Sequence, residues 1–139
     1  MQESFVKATD DYVHYDVSDW FWDIIQEVRG NESKLYLILA KMSKEEIYRF
    51  EDEFLSAWAD LRDPRFEIYF DASEDGTDDI IYWIVGQGKD YYFMTWKEPE
   101  LILECLKGGS WADLFSNNLF GVAYEVYEGK FGESLNIIN

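Results

Sequence analysis

Residues 43–61 read SKEEIYRFEDEFLSAWADL, and this stretch decides the fold class. Ser43 and Glu46 have the three-residue spacing of a capping box, in which each side chain binds the other residue's backbone amide at a helix start. Met42 and Ile47 stand at the positions of a hydrophobic staple. Apolar residues then recur every three or four positions, so the stretch predicts a long amphipathic helix. Its apolar face consists of Ile47, Phe50, Phe54, Leu55, Trp58 and Leu61.

Helix signals continue on both sides of this stretch. Ser18 is placed as an N-cap, an apolar stripe follows over residues 20–28, and Gly30 is placed as a left-handed C-cap. Residues 63–64 read Asp-Pro, the arrangement of a further helix start. Gly129 is placed to end the last helix. We predict an all-α fold, a compact single-domain bundle of about six helices. The remaining helical patterns cover residues 33–41, 77–85, 90–96, 98–106 and 110–126.

Two short stretches leave the choice between helix and strand open, and a short extended segment is expected near residues 12–17 or 66–70. The chain then divides into an N-terminal lead-in over residues 1–17, a helical domain over residues 18–130 and a loosely ordered tail over residues 131–139. Aromatic residues make up 19% of the 139 residues, which supplies ample apolar area for one core.

The charge of the chain is strongly one-sided. Its 29 Asp and Glu residues outnumber 12 Lys and Arg residues, which gives a formal net charge of −17. A typical small domain carries a net charge of magnitude about 2–8. The excess negative charge repels nucleic-acid phosphates and anionic lipids, so we expect neither nucleic acid nor a membrane as a partner. It favours a basic protein as partner, whereas solubility alone is the alternative explanation.

Cysteine usage and hydropathy bear on the location of the protein. Cys105, the single cysteine, lies in an apolar helical run, which favours a buried, inert thiol over a nucleophile. A chain without an internal disulfide fits a reducing compartment. No apolar run approaches the roughly 18–20 residues that span a bilayer, and no signal-peptide pattern is visible. We therefore expect a cytoplasmic protein.

An acidic turn precedes the helix predicted over residues 77–85, and it is the main candidate for a functional surface. A structural alternative is that Asp75 or Thr77 caps the helix and that the following carboxylates lie at its positive end. The predicted binding residues are the four carboxylates of the turn and the tryptophan of the helix. They are Glu74, Asp75, Asp78, Asp79 and Trp83.

Residues 71–82 also match part of the ligand spacing of an EF-hand calcium loop, with Gly76 at the position of the sharp turn. Two departures count against this interpretation. Tyr82 stands where the loop requires a bidentate Glu, and Asp78 stands where an apolar residue is usual. We therefore predict no metal site and no cofactor, and calcium binding is kept only as a minor hypothesis.

No catalytic residue is predicted. His14, the single histidine, lacks the partners of a nucleophilic triad, and one cysteine with one histidine cannot supply a zinc site. Residues 86–89 lack the spacing of a phosphate loop. The alternative function is a small-ligand-binding or enzymatic domain with Asp75 and Asp78 beside an aromatic pocket, although core packing also explains these aromatic residues. The candidate lining residues are Tyr82, Trp83, Tyr91, Tyr92, Phe93 and Trp96.

Several motifs also carry a family resemblance. The first half contains DWFWDII at residues 19–25 and SKEEIYRF at residues 43–50. The second half contains SEDG at residues 73–76 and WIVGQGK at residues 83–89. Over roughly residues 18–130, the chain resembles the bacterial domain of unknown function 4240 family. The resemblance implies a helical fold and a bacterial source, and it implies no established reaction.

The chain departs from the family pattern next to the acidic turn. Thr77 stands where an aromatic residue is usual, and Ile81 stands where an arginine is usual. Loss of this arginine removes a cation that would pair with the turn, so we expect outward-facing, unpaired carboxylates. The resulting prediction is an acidic, non-enzymatic protein-binding domain, in concrete form an immunity protein that neutralises a basic toxin.

Overall fold

The computed structural model describes residues 17–70, 74–103 and 119–137. Within these ranges the regular structure is helical and contains no strand, so the predicted all-α fold is confirmed. A short 3₁₀ helix spans Pro64–Tyr69. The α-helices are α1 Asp19–Val28, α2 Glu32–Leu39, α3 Lys44–Leu61, α4 Glu74–Gly86, α5 Lys89–Lys97 and α6 Val122–Phe131.

Helix α3 lies at the centre of the bundle, because α1, α4 and α6 all pack on it. Helix α2 contacts α1 and α6, and α5 contacts α4. Phe21 of α1 meets Phe50 and Phe54 of α3, with ring centroids 5.1 and 5.9 Å apart. On the α5 side, the Tyr92 hydroxyl donates a hydrogen bond to the backbone carbonyl of Ala57 at 2.8 Å. The apolar stripes of the helices thus share one core around α3.

The start of α3 confirms the predicted capping box. Ser43 Oγ accepts a hydrogen bond from the Glu46 amide at 3.2 Å, and the Glu46 carboxylate accepts one from the Ser43 amide at 3.0 Å. Ser18 occupies the N-cap position of α1, but its hydroxyl makes no cap hydrogen bond. It donates instead to Glu53 Oε1 at 2.8 Å, and Arg49 binds the same carboxylate at 2.7 Å. This carboxylate therefore connects the start of α1 to α3.

The stretch over residues 66–70 is not extended, because residues up to Tyr69 form the 3₁₀ helix. Pro64 has a fixed φ that suits a helix start. The Phe66 amide then donates to the Asp63 carbonyl at 3.0 Å, which closes the first turn. The helix start predicted at Asp63 and Pro64 is therefore present, in the tighter 3₁₀ form.

The last predicted helix is shorter than the sequence indicated. Of residues 110–126 the structure describes those from 119 onward, and residues 119–121 are not helical. Gly121 has a φ of 96°, and α6 begins directly after it. The helix then continues past Gly129 and ends before Gly132, which has a φ of 71°. Gly132 therefore provides the left-handed C-cap that was predicted at Gly129.

The segment after α6 is packed on the bundle as far as residue 137. Leu135 is 5% exposed, and Glu133 forms an ion pair with Lys44 at 2.7 Å. Phe131, where the loosely ordered tail was predicted to begin, is the last residue of α6. Burial of one leucine and a contact to the start of α3 hold the segment in place.

Some predictions concern parts of the chain outside the described residues. His14, Cys105 and nearly all of the stretch over residues 12–17 are among them. The helix predicted over residues 98–106 is described only as far as residue 103, and residues 101–103 are helical.

Candidate functional site

Helix α4 begins at Glu74, three residues earlier than predicted. Glu74 and Asp75 therefore belong to its first turn, and neither Asp75 nor Thr77 caps the helix. Thr77 lies further along the helix and is buried, with 8% of its surface exposed. Because residues 74–82 are helical, they cannot wrap around an ion as an EF-hand loop does. The calcium-loop interpretation is wrong for this reason.

Asp78 forms an ion pair with Arg62 across the junction between α3 and α4. Arg62 Nη1 lies 3.3 Å from Asp78 Oδ1, and the same guanidinium lies 5.6 Å from the centre of the Trp58 ring. The expectation of an unpaired carboxylate is therefore wrong for Asp78. Ile81, which stands where an arginine was expected, is fully buried. The cation that pairs with Asp78 is Arg62, at the end of α3. The spacing of residues within α4 does not indicate this contact.

The other predicted residues lie further along α4. Asp79 is partly exposed, and Trp83 follows one turn later on the same side of the helix. The Trp83 ring packs edge-on against Tyr91 of α5, with centroids 5.7 Å apart and planes at 88°. Its buried indole nitrogen has no hydrogen-bond partner in the part of the chain that the structure describes. Trp83 therefore contributes mainly to the packing between α4 and α5.

The 3₁₀ helix before α4 presents an exposed apolar side chain among acids. Ile68 is 80% exposed, and Asp63 and Glu67 of the same segment are also exposed. Arg62 directly precedes this segment, so its ion pair with Asp78 holds the segment beside α4. We call this region the acidic surface and define it as Asp63, Glu67, Ile68, Asp78 and Asp79.

Glu51 of α3 is a buried carboxyl group that the sequence interpretation missed. Only 1% of its surface is exposed, and burial raises its pKa from the ordinary 4.5 to about 8, with a hydrogen bond from Tyr124 acting in the opposite direction. The carboxyl is therefore protonated at neutral pH. A sequence signal was present, because Glu51 lies four residues after Ile47 and three before Phe54, on the apolar face of the helix.

Two tyrosines from other helices lie beside Glu51. Tyr82 of α4 stacks on Phe120 at 4.3 Å and on Trp58 at 6.0 Å. Burial raises the pKa of Tyr82 well above its usual range. Burial and the neighbouring Glu51 raise the pKa of Tyr124 to about 12. All three groups are therefore neutral at pH 7, and they join α3, α4 and α6 as a structural cluster.

The aromatic residues that were candidates for a pocket lining contribute in large part to the core. Tyr92 is fully buried and lies 5.1 Å from Trp22, measured between ring centroids. Trp96 is 7% exposed and packs edge-on against Phe66 at 4.9 Å. Together with the stacked Tyr82, these contacts favour the core-packing interpretation of the run.

Two surface grooves lie away from the acidic surface. One has a volume of about 220 Å³ and lies between the ends of α1 and α4. The other, about 340 Å³, is lined by Lys44, Glu45, Tyr48 and Tyr127. Within the described ranges, no three His, Cys, Asp or Glu side chains are grouped as ligands of a metal ion. Among the helices described, none is both long and apolar enough to cross a membrane.

Comparison with known proteins assigns neither a family nor a function to the chain. No family model, no curated protein and no solved structure matches the chain. The resemblance to the bacterial domain of unknown function 4240 family stays a prediction, and function is argued from the acidic surface and the distribution of charge.

Proposed function

We propose that the chain is an acidic, non-enzymatic domain that binds a basic protein through the acidic surface. In concrete form, it is a cytoplasmic immunity protein that neutralises a basic toxin. The observation that supports this proposal is the arrangement of charge around the formal −17. Several of the few cations are held in ion pairs within the molecule. These pairs are Lys44–Glu133, Arg49–Glu53, Arg62–Asp78 and Lys89–Asp19.

The internal ion pairs have a consequence for the field around the protein. Each pair cancels one carboxylate with one cation, so the excess of carboxylates remains uncompensated. A field of one sign attracts a partner of opposite sign over about 10 Å at moderate salt, and such steering raises association rates by roughly 10- to 1,000-fold. A toxin that acts on nucleic acid needs a basic active site, and an acidic inhibitor matches that site.

Ile68 supplies the apolar element of the proposed interface. Steering by charge mainly affects the association rate, whereas a complex is retained by buried apolar contacts at its centre. Ile68 is 80% exposed, and the exposed residues Asp63 and Glu67 both precede it in the sequence. Protein interfaces typically combine an apolar centre with polar residues at the rim.

The proposal is tested with the product of the gene beside the one that encodes this chain. We expect the neighbour to be a basic toxin, and we expect co-expression of the two proteins to restore growth. The association rate constant should fall at least about tenfold between roughly 50 and 500 mM sodium chloride, because salt screens exposed charges. A neighbour without toxicity, or a rate indifferent to salt, would contradict the proposal.

Paired charge variants locate the interface. Glu67→Gln with Asp79→Asn removes two charges from the acidic surface, and Glu125→Gln with Glu128→Gln removes two exposed charges from α6. Both double variants change the net charge equally. We expect the first to slow association several-fold and the second to have a much smaller effect. Equal effects would show that this surface does not bind the partner.

A further inference from the structure

The groove between the C-terminal ends of α1 and α4 has features that the proposed function does not use. Its volume is about 220 Å³, below the roughly 300–1,000 Å³ of drug-sized pockets, so it suits a small ligand. Its lining combines one cation, two primary amides, a glycine and a buried isoleucine. The lining residues are Ile25, Gln26, Arg29, Gly86 and Gln87.

Arg29 has an unfavourable backbone conformation at this groove. It follows the last residue of α1 with φ 49° and ψ 47°, in the left-handed region. Within the described residues it is the only residue other than glycine with a positive φ. Gly30 comes next and has a φ of 77°, so a glycine at position 29 would satisfy the same turn without strain. Strain of this kind is often retained where a side chain has a binding role.

The guanidinium of Arg29 is also not used within the molecule. Lys44, Arg49, Arg62 and Lys89 each bind a carboxylate. In the described part of the chain, by contrast, Arg29 has no ion pair and no side-chain hydrogen bond. In a chain with 29 acidic residues, an exposed guanidinium without a carboxylate partner is available to a ligand.

Two glutamines add neutral hydrogen-bonding groups to the groove. Gln87 Nε2 donates one hydrogen bond to the Trp83 carbonyl at 3.3 Å, and a primary amide has a second N–H to donate. The side chain of Gln26 lies close to Gly88, because a Cβ atom added at residue 88 would be 3.3 Å from Gln26 Oε1. Ile25 lies beneath the groove and is fully buried. A guanidinium beside amide donors matches a small carboxylate.

We propose that this groove binds a small monocarboxylate, with Arg29 as the bidentate anchor and the amides of Gln26 and Gln87 as additional donors. A singly charged ligand is favoured over a dianion such as phosphate. Two helix C-termini meet here, and their partial negative charges oppose a dianion more strongly. The site is separate from the acidic surface, so the two proposals stand independently.

The test is a titration of the ¹⁵N-labelled chain with sodium acetate, with sodium chloride and inorganic phosphate at matched ionic strength. We expect acetate to shift the Arg29 Nε–H and the Gln26 and Gln87 side-chain amide signals saturably, at millimolar concentration. Phosphate should bind more weakly, and chloride should cause no saturable shift. Equal shifts with chloride and acetate would overturn the proposal.

Two substitutions at the anchor separate binding from structure. Arg29→Lys should weaken acetate binding about fivefold, the factor for one lost hydrogen bond of about 1 kcal/mol. Arg29→Gly should abolish the saturable shifts and raise the melting temperature, because glycine relieves the left-handed strain. The control Lys34→Ala removes an exposed cation of α2 and should change neither result. Acetate binding that persists in the folded Arg29→Gly variant would overturn the assignment.

Discussion

Glu51 and Asp78 are both acidic residues near Tyr82, and their surroundings differ sharply. Asp78 has 30% of its side chain exposed and is paired with Arg62 at 3.3 Å. Glu51 is 1% exposed, and the neutral phenol of Tyr124 donates a hydrogen bond to it. Burial raises the pKa of Glu51 to about 8. The comparison shows that placement decides whether an acid contributes to the external field or to the core.

Because buried and exposed acids differ in protonation, the formal net charge overstates the negative charge that the folded protein carries. The formal charge of −17 counts Glu51 as ionised, although its carboxyl group holds a proton at neutral pH. Carboxylates of the acidic surface, by contrast, meet solvent and contribute to the field that a basic partner encounters. The proposed function therefore depends on the carboxylates of the acidic surface. The stability of the bundle at high pH depends on the buried Glu51.

The largest expected effect is the pH dependence of stability caused by Glu51. Below pH 4.5 this residue is protonated in both the folded and the unfolded chain. Between pH 4.5 and about 8 the unfolded chain loses the proton and the folded chain retains it, so stability falls as pH rises and levels off above about pH 8. A shift of this size corresponds to about 5 kcal/mol.

Denaturant unfolding of the Glu51→Gln variant between pH 5 and pH 9 measures the contribution of Glu51 to the pH dependence of the free energy of unfolding. The amide cannot ionise, so the variant should gain stability relative to the natural chain as pH rises. Glu128→Gln, an exposed substitution on α6, is the control and should follow the natural chain. If Glu51→Gln has the same pH dependence as this control, Glu51 is ionised in the folded protein and the account of the buried cluster fails.

A smaller effect is expected for Tyr124→Phe, which keeps the ring and removes the hydrogen bond to Glu51. We expect a loss of about 1–2 kcal/mol at pH 7, because the buried acid loses a partner. The pKa of Glu51 should rise above its natural value, since this hydrogen bond lowers it. Carboxyl ¹³C chemical shifts followed against pH would report the change, and an unchanged titration midpoint would show that the two groups are not bonded.

The smallest effect is expected for Asp78→Asn, which breaks the ion pair with Arg62 near the surface. Both side chains are about one-third exposed, and pairs of this kind contribute about 0.5 kcal/mol. Thermal unfolding at low and high salt should show a small loss that salt reduces further. A loss as large as that of Tyr124→Phe would contradict the distinction between the surface acid and the buried acid.

Local patterns predicted much of the fold. The capping box at Ser43 and the apolar period that follows describe α3 almost to the residue, because both signals act within one or two turns. The break before Val122 was missed, since the apolar stripe continues across Gly121 and hides the change of backbone direction. The helix start at Asp63 and Pro64 was predicted, but its 3₁₀ form over Pro64–Tyr69 was not, because the five alternating residues 66–70 fit more than one conformation.

The candidate site was predicted only in part. Asp78 and Asp79 were proposed from local acidity, and the sequence around Asp78 contains no sign of Arg62, which pairs with Asp78 only after α3 and α4 pack together. Glu51 was overlooked because a charged residue within an apolar stripe is usually assigned to the solvent face. Its spacing from Ile47 and Phe54 places Glu51 on the apolar face of α3, whereas its hydrogen bond with Tyr124 depends on contacts between helices that this spacing does not predict.

The most direct test of the central claim compares association rate constants with the proposed basic partner at low salt. The variants are the acidic-surface pair Glu67→Gln with Asp79→Asn, and the buried substitution Glu51→Gln. We predict that the surface pair slows association several-fold and that Glu51→Gln leaves the rate unchanged, because a protonated Glu51 adds no charge to the external field. An unchanged rate for the surface pair, or an equal loss for Glu51→Gln, would contradict the account.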